Sequence, residues 1–227
     1  MSTVERRFVA TDNAVGIEER AGEPSKITGY ASVFYDGSRG TEYELWEGVS
    51  ERIDPKAFDR VLADGEDVAA LFNHDPNQLL GRRSAGTLKL EVFSKGLRYT
   101  IPAEDTQASR DVLYNIRKGN LNGSSFSFTV AKERWDKTPT GEVRTIEEVG
   151  RLLDVGPVTH PAYSGTSTGV RSAGDIVEAR SSYDAWKAAQ VPVEITEERV
   201  EEVATLSPEE VLERLASYAK RAAELEA

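Results

Sequence analysis

Between Ile27 and Val158 short apolar segments are separated by polar turns, and several of them alternate at every second residue, the period of half-buried strands. ITGYASVF, Ile27 to Phe34, mixes β-branched, aromatic and small residues and reads as a strand. Asp54-Pro55 ahead of KAFDRVLADG predicts an N-cap with proline at the first helical position, and Gly65 closes that short helix. Val68 to Phe72 is an apolar run, followed by the polar, turn-rich stretch NHDPNQLLGRRSAG. TLKLEV and GLRYTI alternate on either side of Ser94-Lys95-Gly96 and predict a hairpin. Asp105 or Thr106 caps a helix through Lys118, with Ala108, Val112, Leu113 and Ile116 on one face and Gly119 as its stop.

NLNGSSFSFTV passes from a glycine turn into a strand with Phe126, Phe128 and Val130 on one face and Ser125, Ser127 and Thr129 on the other, so Ser125 lies at the mouth of the strand. A turn at Pro139 to Gly141 leads to a strand over Val143 to Ile146, and LLDVGPV reads as one more buried strand ending at Pro161. About seven strands and two helices predict a mostly β domain with helices, an α+β class, built as a barrel or sandwich.

The organisation follows from shifts in composition. Residues 1–25 read as an N-terminal extension, 26–166 as the β domain, and 167–206 as a flexible linker, the stretch from about Ser164 to Gln190 being rich in Ser, Gly, Thr and Ala. Residues 207–227 read as an acidic amphipathic helix. Ser207-Pro208-Glu209-Glu210 forms its capping box. Its apolar stripe, Val211, Leu212, Leu215, Tyr218, Ala219, Ala222 and Leu225, suits a partner protein, a second copy of the chain, or its own domain.

Composition narrows the function classes. The 227 residues contain no cysteine, which removes disulfides, thiolate zinc sites and cysteine-protease chemistry. The net charge of −11 opposes a phosphate backbone, so nucleic acid is not an expected partner. Residues 190–227, with ten Glu against four Lys and Arg, carry −6 of it. No apolar run is long enough for a membrane helix, and the charged first twenty residues lack the apolar core of a secretory signal, which predicts a cytoplasmic protein. Neither aromatic nor basic clusters mark a small-ligand pocket.

A serine hydroxyl becomes a nucleophile only beside a base, and with two histidines that base is His74 or His160. His74 sits between Asn73 and Asp75 just past the apolar run, a place that suits either a positioned base or a solvated surface histidine. His160, between Thr159 and Pro161, suits a satisfied structural imidazole or a second triad member. Ser124, Ser125 and Ser127 are not separated by pattern alone.

Taken together, ITGYASVF, IDPKAF, LFNHDPNQLLGRRSAGTLKL, IRKGNLNGSSFSF and LLDVGPVTHPAY, with a Gly-Leu strand between, resemble the tailed-phage prohead proteases in order and spacing over about Lys26 to Thr166. The resemblance implies a compact β-barrel wrapped by helices, like the herpesvirus capsid maturation proteases. It implies that His74 and Ser125 are the catalytic pair, with Ser124 at the variable position before the nucleophile. Asp154, the acidic residue ahead of the V-x-x-V-T-x-P-A segment, becomes the third member by the same resemblance, with His160 as its alternative because the herpesvirus enzymes use a second histidine. The chain departs from the family at Ser127, commonly glycine, and at Asp154, commonly a longer acid. The Asn73-His74 turn, or amides near Arg82 and Arg83, are candidate oxyanion donors, and the two arginines equally suit surface ion pairs.

The implied activity is serine endopeptidase cleavage of scaffold and capsid precursors in the host cytoplasm, inside assembling procapsids, without metal or cofactor and by a homodimer or homo-oligomer. The accessible linker is a further substrate, for self-cleavage. The rival expectation is a non-enzymatic scaffold or assembly chaperone that keeps the protease shell.

Overall fold

The computed structural model describes residues 3–9, 14–38, 40–159, 168–169, 176–190, 207 and 210. The chain divides into two compact units, Met1–Trp186 and Lys187–Ala227. In the second unit the Ser207 amide donates to the Glu210 carboxylate and the Glu210 amide to the Ser207 hydroxyl, the reciprocal bonds of the capping box. The helix expected beyond it falls on residues outside the description.

The described strands form two sheets. The smaller has the order β2 (Val15–Glu18), β3 (Lys26–Val33), β9 (Gly96–Pro102), β8 (Lys89–Phe93), all antiparallel. The larger runs β10 (Gly123–Thr138), β1 (Glu5–Val9), β12 (Thr168–Gly169), β4 (Tyr43–Trp46), β5 (Val49–Ile53), β11 (Gly141–Val158), β6 (Ala69–Leu71), β7 (Leu79–Arg82), and β10 also pairs with β11. The expectation of one barrel of about seven strands is corrected. The strands do not close into one barrel: they divide between two sheets, and β2 and β8 edge the smaller and pair with no described strand of the larger. One core joins the two sheets, with Ile27, Leu97 and Ile101 from the smaller packed in the same cluster as Phe126, Phe128 and Ile146 from the larger.

The hairpin of β8 and β9 forms about the turn expected for it. Val143–Ile146 and LLDVGPV, read as separate strands, are one eighteen-residue strand whose pairing with β10 shifts register several times. Those irregularities interrupt the alternation and divide the pattern in the sequence. The helix α1 spans only Asp59–Ala63; Asp54 Oδ1 accepts from the Lys56 amide and so caps the preceding turn, while Phe58 stands at the helix N-cap. The helix α2, Gln107–Arg117, is capped by Thr106, whose hydroxyl accepts from the Ser109 amide at 3.2 Å.

Two segments set apart by composition carry regular structure. Residues 1–25 include β1 and β2, which sit in different sheets. The linker range 167–206 contains β12 and a third helix, α3 (Val177–Ala189). Tyr183 and Trp186 of α3 meet Trp135 with ring centroids 5.2 and 5.9 Å apart, and Trp46 completes the cluster. Two large aromatic residues are enough to dock a helix otherwise built mostly of small and polar ones.

β1 escapes a hydropathy reading because its inward side chains are charged. Glu5 and Arg7 are fully buried with Glu51 and Arg144. Arg7 donates to Glu51 at 2.7 and 2.8 Å and to Glu5 at 2.5 Å; Arg144 bonds Glu5 at 2.8 Å and Glu51 at 2.9 Å, and also pairs with Glu133. In such a network removing one partner costs about 3–5 kcal/mol, since the other charge stays buried and unpaired. Burial raises the Glu5 carboxyl, but Arg7 and Arg144 outweigh it and hold it below the ordinary 4.5. A depressed carboxyl adds stability above its unfolded value and loses it as pH falls through the folded one. Amides 5–9 are therefore expected to exchange hydrogen faster relative to the core once pH drops below 4.5, and Glu5→Gln should blunt that dependence.

Candidate active site

Strand pairing brings three separated segments to one place. β10 and β11 run antiparallel with Ser125 opposite Gly156 and Ser127 opposite Asp154. On the other edge of β11, Asp154 and Val155 pair in parallel with Ala69 and Ala70 of β6. The chain leaving β6 at Leu71 therefore emerges beside Gly156 and Pro157, one strand away from Ser125. Close approach is possible because residue 156 has no side chain: a Cβ there would lie 2.0 Å from the Leu71 carbonyl oxygen.

The turn that follows holds the histidine. Asn73 and His74 both adopt left-handed backbone, with φ of 56° and 59°, a conformation that costs on the order of 1–3 kcal/mol per non-glycine residue. Its hold is Asn73. The Asn73 amide donates to the Pro157 carbonyl at 3.0 Å, and its side chain donates to Thr159 Oγ1 at 2.6 Å while accepting from the Thr159 amide at 2.8 Å. Three bonds to one end of β11 offset the strain and aim the imidazole across β11 toward β10.

The imidazole meets three side chains. His74 Nε2 lies 2.7 Å from Ser125 Oγ, and Nδ1 lies 2.5 Å from Asp154 Oδ1. Ser127 Oγ is 3.0 Å from the same Nδ1. Ser125 is fully buried, and the His74 and Asp154 side chains are 6% and 11% exposed. Water is largely excluded, so charges and dipoles within the group act through a low dielectric. An Nδ1 proton held by Asp154 leaves Nε2 with its lone pair toward the Ser125 hydroxyl, the arrangement in which an imidazole accepts a proton.

The neighbouring candidates go elsewhere. Ser124 Oγ donates to the Tyr99 hydroxyl at 3.2 Å, on the core side of β10. The amides of Arg82 and Arg83 are bonded to Thr87 Oγ1 and the Val68 carbonyl, each at 2.9 Å, so neither is an open oxyanion donor. Their side chains serve the scaffold, Arg82 pairing with Asp67 and Arg83 donating to the carbonyls of Val61, Leu62 and Glu66 around the end of α1. The Asn73 amide is likewise engaged. His160 lies outside the described residues. Sequence reasoning missed the grip of Asn73 on Thr159 and the contact of Ser127 with the ring, because both depend on partners more than fifty residues away. No group of acidic, histidine or cysteine residues able to hold a metal occurs among the described residues.

The family described as caudovirus prohead serine protease matches residues 13–179. Among solved structures, the bacteriophage T4 capsid assembly protease gp21 is similar at 12% identity and a TM-score of 0.43, over 69% of this chain and 98% of that one. Comparison with curated proteins finds no match.

Proposed function

The chain belongs to the caudovirus prohead serine protease family, and on that premise we propose that it is a serine endopeptidase with Ser125 as nucleophile, His74 as base and Asp154 as the group that orients the base. The observation that carries the reading is the unbroken line from Ser125 Oγ through both imidazole nitrogens to Asp154, at 2.7 and 2.5 Å. In the proposed reaction His74 Nε2 takes the Ser125 proton as Oγ attacks a peptide carbonyl. The imidazolium then protonates the departing amine, the C–N bond breaks, and an acyl-enzyme is left on Ser125. Water, deprotonated by the same nitrogen, attacks the ester; the acyl–Oγ bond breaks, the acid product leaves, and the imidazolium returns the proton to Oγ. Asp154 keeps the proton on Nδ1 throughout, and Ser127 steadies the ring from the β10 side.

The substrates of this reading are scaffold and capsid precursors, cut in the host cell inside assembling procapsids, and the protease's own chain is a further one. Family membership supports the maturation role, and the chemistry requires neither metal nor cofactor. A fluorophosphonate probe tests it: after prolonged incubation the adduct is expected on the peptide containing Ser125, and His74→Ala should abolish it. An adduct on another serine, or one that survives His74→Ala, would overturn the assignment. A folded protein that never labels would fit the rival reading, a non-enzymatic assembly chaperone in a protease shell.

A further inference from the structure

Ser125 lies on a strand with both edges filled. β11 takes one edge, with Gly156 opposite Ser125, and β1 takes the other, with Phe8 opposite Ser125 and Val9 opposite Ser124. Directly paired residues of antiparallel strands share a face, so the Phe8 side chain stands beside Ser125 on the His74 side. Phe8, Val9 and Ser125 are all fully buried. The Ser125 hydroxyl also donates to the Arg7 carbonyl at 2.8 Å. One hydroxyl has one proton, and a proton held by Arg7 is not on its way to His74 Nε2. An extended peptide that brings a carbonyl to Ser125 Oγ needs the space that Arg7 and Phe8 fill.

We propose that the edge of β10 from Ser124 to Phe128 is the substrate-binding strand, that β1 is its resident occupant, and that the enzyme works only after β1 has peeled away. The inference rests on the serine-protease reading and adds to it the place and form of the substrate. Its backbone pairs with β10 as β1 does, a strand added to a sheet edge. It carries apolar side chains at the two positions opposite Ser124 and Ser125, where Val9 and Phe8 now sit. β1 suits release. It is five residues long, lies outside the part of the chain that matches the family, pairs with β12 on its other edge at only two residues, and its Glu5 and Arg7 regain hydration when they leave. The same ion network returns it to register when no substrate is bound.

The absence of cysteine allows a clean test. Directly paired strand residues lie about 4.5–5.5 Å apart at Cα, inside the range a disulfide spans. The double variant Val9→Cys, Ser124→Cys is therefore expected to form a bond that locks β1 onto β10. Oxidised, it should react with fluorophosphonate at least about tenfold more slowly than when reduced, and should not cut scaffold or capsid precursor; dithiothreitol should restore both. Equal reaction in the two states would overturn the proposal while leaving the nucleophile intact. Reaction in neither state would overturn the nucleophile reading and this inference with it. The wild-type protein supplies a second measurement that needs no variant. Once Ser125 carries the phosphonate, amides 5–9 should exchange hydrogen faster than in the unlabelled protein, and unchanged protection would overturn the displacement of β1.

Discussion

Replacing Ser125 by alanine is expected to reduce cleavage of a co-expressed capsid precursor by on the order of 10⁶-fold. The size of the loss follows from the chemistry: without Oγ there is no acyl-enzyme, and His74 Nε2 is left with no hydroxyl to deprotonate. The fold should survive, since alanine fits wherever serine does. The change removes one hydroxyl from contact with His74 and the Arg7 carbonyl, a cost of about 1 kcal/mol. Gel analysis of processing and a melting curve, measured together, separate the two effects. Processing at the wild-type rate by a folded Ser125→Ala protein would end the serine reading.

Asp154→Asn should have the second largest effect, a fall of about 10⁴-fold in turnover with little change in melting temperature. The carboxylate is an acceptor only, so the nitrogen it faces must carry the proton. An asparagine can present its NH₂ group to Nδ1 instead. The ring then holds its proton on Nε2, facing Ser125, and cannot accept another. Ser127 Oγ stays within 3.0 Å of Nδ1 and keeps the ring in place, so orientation alone should not account for the loss. A merely structural Asp154 would show the opposite pattern, a lower melting temperature with turnover preserved. Turnover within a few-fold of wild type would remove Asp154 from the triad and return the role to His160.

The strands around the site were legible because their residues obey a local rule. ITGYASVF, the hairpin at Ser94-Lys95 and the alternation from Ser125 to Val130 depend on the two-residue period of a pleated chain. β1 was not legible, since Glu5 and Arg7 occupy positions where the rule expects apolar side chains. Their burial makes sense only with Glu51 and Arg144, which come from distant strands. α3 was hidden for a related reason: its composition is that of a linker, and its anchors gain meaning from Trp46 and Trp135. Arg82 and Arg83 stood beside a candidate loop in sequence, but their amides and side chains are used by neighbours around α1 and β7.

By itself the sequence determined the supply of chemistry and the family. With no cysteine and two histidines there was little choice of base, and the spacing of motifs from Lys26 to Thr166 carried the resemblance that singled out residues 74, 125 and 154. Only the tertiary structure decided which serine faces the imidazole, that two sheets form in place of one barrel, and that β1 covers the candidate nucleophile. The reason is physical. Residue types and short-range periodicity are properties of adjacent positions, whereas a hydrogen bond between residues 74 and 125 exists only once β11 lies between β10 and β6 with its glycine pressed against Leu71.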